Sequence, residues 1–130
     1  MKHKIFLILG GIINFATAIL HTFLGHADHM SLVFKSDFNT IDKTVLLGVW
    51  HMVSIVFFMS CYPVIKKVLN PNTEKYDLLI RYLGVMYMLF GLIFIASSIY
   101  MKFHAAQWVL LIPIGILFIL GSKKIDSVHN

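Results

Sequence analysis

The sequence predicts an all-α integral membrane four-helix bundle, and three observations carry that prediction. Of 130 residues, 58% are hydrophobic and 13% charged, a balance outside the range of soluble globular domains. The apolar residues fall into four continuous runs, about Ile5–Gly25, Val45–Ile65, Leu78–Tyr100 and Ala105–Gly121. Eight of the eleven Lys and Arg residues lie before the first run, in or beside the second connection, or after the fourth run, the asymmetry that membrane topology produces. A membrane barrel would need segments of about ten residues with alternating polarity, and these runs are unbroken.

The first run follows Lys2 and Lys4. Lys-His-Lys, an apolar stretch and Ala16-Thr17-Ala18 have the order of a secretory signal with a small-residue cleavage site. The apolar stretch continues to Leu24, so an uncleaved first span is expected. Gly25 is expected to end it, because glycine is favoured just past a helix C-terminus. The second and third runs also reach the roughly 20 residues that cross a hydrocarbon core. The fourth is shorter, about 17 residues, and contains Pro113, which neighbouring helices can accommodate. One domain, residues 1–130, has both termini on the same side, with no internal repeat.

Lys2, Lys4, Lys66, Lys67, Lys75, Arg81, Lys123 and Lys124 share one side. The positive-inside rule makes that side cytoplasmic, with N-in and C-in topology, and the inner (plasma) membrane of a bacterium is the expected location. The net charge of +5 is thus mostly a topology signal. The expected partner is the lipid bilayer, with a homo-oligomer or a membrane-complex subunit as further possibilities. No basic stripe with interleaved aromatics marks a nucleic-acid partner. Cys61 is the only cysteine, so no intramolecular disulfide can form; it reads as a small buried residue.

Small and polar residues mark the inward faces. Gly11, Asn14, Ala18, His21 and Gly25 recur at helical spacing, as do Gly48, His51, Ser54, Phe58 and Cys61. The third run offers Gly84, Met88, Gly91, Ile95 and Ser98. The fourth offers His104, Gln107 or Trp108, Leu111 and Gly115. Small residues let helices in lipid approach closely. Tyr62, Tyr76, Tyr82, Tyr100, Trp50 and Trp108 fall near expected interfaces, where aromatic anchors collect.

Histidines carry the functional signal. His21 and His51 lie within apolar segments, where an ionisable group is costly and is by default a hint of function. By helix rise they sit about 6 and 11 Å below the outer face; His104 opens the fourth run on the same side. His21, His51 and either His26 or His104 would supply the three ligands of a catalytic-type metal site. Asp28 and His29 stand just after the first helix as entry ligands or supporting partners of the metal site. Imidazole donors favour a transition metal such as Zn, Cu or Fe over magnesium or calcium. Three alternatives remain open: histidines that fix helix pairing in an accessory subunit, axial ligands to haem, and a quinone or proton contact. HExxH spacing is absent. Nucleophilic hydrolysis has no support, since Ser54 has His51 nearby but no orienting acid. Four helices are few for a monomeric carrier, and paired discontinuous helices are not evident. His3 and His129 are terminal and carry no signal.

The segments HTFLGH (21–26) and WHMVS (50–54) resemble an uncharacterised family of small four-helix bacterial membrane proteins. In that family the first helix ends in a His-Ser-x-Leu-Gly-Glu motif and the second opens with Trp-His-x-x-Ser. The resemblance covers under a third of the chain and implies a four-helix fold without lending an activity. His26 stands where the motif has Glu, and Thr22 where it has Ser. The first exchange keeps a metal-ligand type and is compatible with His21, His26 and His51 as ligands.

Overall fold

A computed structural model describes residues 2–122; the basic pair Lys123–Lys124 and His129 lie outside the described residues. The described chain is helical throughout: α1 (Lys2–Ile19), a π-helical segment (Leu20–Met30), α2 (Ser31–Lys35), α3 (Thr40–Leu69), α4 (Asp77–Met101) and α5 (Trp108–Gly121). The first three run on as one rod from His3 to Lys35. That rod, α3 and α4 are each long and apolar enough to cross a membrane, whereas α5 has 14 residues and spans only about 21 Å of axis. The fourth run is thus shorter than its expected start at Ala105, because residues 102–107 form a connection rather than a first turn.

Local chemistry sets the boundaries. Gly25 does not end the first helix. The rod continues to Ser36, whose extended backbone and hydroxyl bond to the Val33 carbonyl (2.6 Å) close it. Asn39 then caps α3: its side-chain carbonyl accepts from the Asp42 N–H at 2.9 Å, and its amide donates to the Asp42 carboxylate at 2.8 Å. This satisfies orphan donors at the N-terminus and places an acid near its positive end. The start at Thr40 puts His51 deeper in the helix than the expected start at Val45. At the far end of α3, the buried Lys67 donates to Asp77 at 2.7 Å and to the Thr73 carbonyl, which staples the turn into α4. Lys102 ends α4 in the left-handed region (φ 50°), and the Phe103 N–H returns to the Ser98 carbonyl. Such a cap normally uses glycine.

Around the bundle the order is α3, α1, α5, α4; α4 closes the ring against α3 over a shorter stretch. The tightest crossing is α4 on α5. A Cβ on Gly84 would lie 2.8 Å from the Gly115 carbonyl oxygen, and one on Gly115 would lie 2.6 Å from the Gly84 oxygen. The two backbones touch, as small residues at helix crossings permit. Leu7, Ala18, Phe57, Val64, Ile80, Tyr87, Leu111, Ile114 and Phe118 form the core.

The inward stripe of α1 follows the expected spacing, with Asn14 and Ala18 fully buried. On α3 the expected Ser54 is buried, but beyond it the stripe is displaced by one residue: Phe57, Ser60 and Val64 are buried, while Phe58 and also Gly48 face outward. Tyr87 is the largest fully buried side chain of the bundle. Its position four residues before Gly91, on the glycine face of α4, is what directs it inward.

Candidate functional site

The π segment decides which histidines meet. On an α-helix, residues five apart point about 140° away from each other. A π-helix bonds i to i+5, so His21 and His26 come round towards the same neighbour, α3. The wider turn also brings Gly25 against Trp50: a Cβ there would lie 2.6 Å from the indole ring. Glycine is needed at this position for close approach, not as a helix stop.

Trp50 organises one half of the site. The His21 ring stacks on the indole with centroids 4.1 Å apart and planes within 11°. Its Nε2 hydrogen donates to the Trp50 carbonyl at 3.2 Å. His29 also lies nearly parallel to the indole, at 5.5 Å. Phe57 meets the His21 ring edge-on at 5.4 Å. The stack and the carbonyl bond tie His21 to α3.

The other half is an imidazole pair. His26 and His51 have ring centroids 5.2 Å apart and planes tilted by 34°, and Phe34 flanks His26 at 6.3 Å. His26 Nδ1 is buried without a hydrogen-bond partner, and so are Thr22 Oγ1 and Trp50 Nε1. Buried polar atoms are nearly always satisfied in folded proteins. Three unsatisfied ones cluster on neighbouring positions of the same two helices.

The expected three-ligand centre is not assembled. Among the described residues no three His, Cys, Asp or Glu side chains converge closely enough to hold a metal ion. His104 is exposed on the connection before α5, edge-on to Trp108 at 6.2 Å. It stays apart because α5 packs against α1 and α4 and not against the π segment or α3. Asp28 and His29 are exposed; the Asp28 carbonyl accepts from the Ser31 hydroxyl.

A second polar group, deeper in the bundle, joins Asn14 and Cys61, which the spacing picks out, to Ser60 and Tyr87, which it does not. Asn14 donates to the Phe57 carbonyl (3.1 Å) and the Ser60 hydroxyl (3.0 Å), with Cys61 Sγ at 3.2 Å. Ser60 in turn meets the Tyr87 hydroxyl at 2.6 Å. The one-residue offset of the α3 stripe hid Ser60. Tyr87 reads in sequence like the other tyrosines, and only its place on the Gly84/Gly91 face marks it.

Comparison of the chain with protein-family models, curated proteins and solved structures finds no match.

Proposed function

We propose that the chain is an integral membrane protein of the bacterial inner (plasma) membrane whose histidine end binds a transition metal through the His26–His51 pair. Both termini and the Lys67 end are cytoplasmic in this reading. Three helices long and apolar enough to cross a membrane support insertion. Lys4, Lys66, Lys67, Lys75 and Arg81 at the end opposite the π segment support the orientation.

The observation that carries the metal reading is the buried, unpartnered Nδ1 of His26, one ring away from His51. Imidazole nitrogens suit zinc, copper, iron and nickel. Two protein ligands leave positions open for water or a small molecule, as sites that do chemistry require. Trp50 Nε1 and Thr22 Oγ1 would supply hydrogen bonds to whatever occupies them. The pair favours a bare ion over haem, since rings 5.2 Å apart leave no gap for a macrocycle between them.

A second reading, an accessory subunit whose histidines serve packing, is favoured by His21, whose stack and carbonyl bond are both helix-pairing contacts. One experiment separates the two. The protein is purified in mild detergent without a metal-affinity column, then taken for elemental analysis and an absorption spectrum. Near-stoichiometric metal in the wild type, lost in His26→Ala and His51→Ala and retained in His21→Ala, is the expected result. A metal-free wild type from metal-replete cells sinks the metal reading and leaves the packing one; a Soret band would make it a haem protein.

A further inference from the structure

Two cavities meet at Leu7. One, of about 250 Å³, opens between the start of α1 and the turn after α3 and is lined by His3, Lys4, Lys67, Pro71 and Asn72. The other, of about 470 Å³, is an almost wholly apolar groove between α1 and α3, running from Leu7 to Ile19 on one wall and from Leu69 to Cys61 on the other. Leu7 lines both.

We propose that the two cavities form one binding site for an anionic phospholipid, with the phosphate head in the first and an acyl chain along the second. The proposal rests on the membrane reading above and on the Lys67 end being cytoplasmic.

Charge selects the head. Among the described residues no carboxylate lines the pocket. Lys67 is balanced by Asp77, and among the described residues the exposed Lys4 has no carboxylate partner. His3 is fixed by donation from Nδ1 to the Leu120 carbonyl at 2.9 Å, so Nε2 is the nitrogen left for a head group and donates when the ring is protonated. Both residues sit in the first turn of α1, where the unsatisfied N–H groups add positive potential.

Length selects the tail. From Leu7 to Ile19 the groove follows α1 for about 18 Å, close to the roughly 15 Å half-thickness of a hydrocarbon core. It therefore covers one leaflet, beginning at the charged pocket and ending near mid-bilayer. That leaflet is the one in which anionic lipids are concentrated.

The test is native mass spectrometry of the full chain in mild detergent, with equimolar phosphatidylglycerol and phosphatidylethanolamine of identical acyl chains. The wild type should retain one phospholipid and prefer phosphatidylglycerol about fivefold, the effect of one lysine beside an anionic surface. Lys4→Glu should abolish the preference. Ala16→Trp, which fills the groove from an exposed position, should lower retention of both lipids. Glycerol phosphate, a head without tails, should not displace the lipid. Equal retention by the wild type, a preference that survives Lys4→Glu, or displacement by glycerol phosphate overturns the proposal. Should Ala16→Trp fail to fold, Lys4→Glu on its exposed first turn still decides. Alkaline extraction of cell membranes separates the two levels of failure. Release of the chain defeats the membrane reading, whereas a retained chain without lipid preference defeats only this inference.

Discussion

The two ends of the bundle differ in how far their buried polar groups are paired. At the Lys67 end a lysine and an aspartate, 4% and 3% exposed, are paired at 2.7 Å, and a backbone carbonyl takes another lysine proton. At the histidine end three polar side-chain atoms, on Thr22, His26 and Trp50, are buried with no partner. The first arrangement spends its polarity on holding α3 to α4. The second leaves hydrogen-bonding capacity unspent, which stability alone does not favour. The helix also changes form there: α1 passes into an 11-residue π segment, and π turns are frequent at functional sites. In the proposed reading, the difference separates a structural end from a working end.

Mutations can break or sharpen that contrast. The largest effect should come from Asp77→Ala, which leaves Lys67 buried without its counter-charge. Breaking a buried pair in this way costs about 3 to 5 kcal/mol, read as a fall in the denaturation midpoint in detergent. A loss below about 1 kcal/mol would mean that water reaches Lys67 and that the end is not the closed staple described here. Next is Gly115→Val at the α4–α5 crossing. Overpacking there should cost about 1 to 3 kcal/mol, and a neutral result would show that the two backbones can separate without penalty.

Lys102→Gly should act in the other direction. Relieving the left-handed backbone is expected to stabilise the fold by about 1 kcal/mol, visible as a raised melting temperature with no change at the histidines. His51→Ala should be nearly silent in stability, below about 1 kcal/mol, while abolishing bound metal. The reverse outcome, a large stability loss with metal retained, would make the histidine end structural too. The smallest shift is expected for Tyr87→Phe. Polar contacts between membrane helices are worth about 0.6 kcal/mol on average, and Ser60 keeps the Asn14 amide and the Phe57 carbonyl as partners.

How legible these features were depends on the helix geometry at each place. Along α1 the stripe of Gly11, Asn14 and Ala18 is regular α-helix, and the spacing rule placed it correctly. Along α3 the same rule places Ser54 correctly but also picks Gly48 and Phe58, which face outward, because the buried face steps from Ser54 to Phe57, three residues on rather than four. In the structure Trp50 and Phe57 hold that face and His51 lies at its edge, turned towards His26. Gly25 was misread as a stop because glycine serves both helix ends and close approaches. Only the position of the Trp50 ring distinguishes the two uses.

The sequence by itself determined that the chain is helical, that three of its helices are long and apolar enough to cross a bilayer, and that His21 and His51 lie inside apolar runs with few charged residues. Composition, run length and charge placement are local properties and survive without knowledge of contacts. Only the tertiary structure decided which histidines face one another. That choice depends on a change from 3.6 residues per turn to the wider π turn, and on α5 packing against α1 and α4 rather than against the π segment. A shift of one residue in helical phase turns a side chain by about 100°, enough to replace His104 and His21 with His26 beside His51.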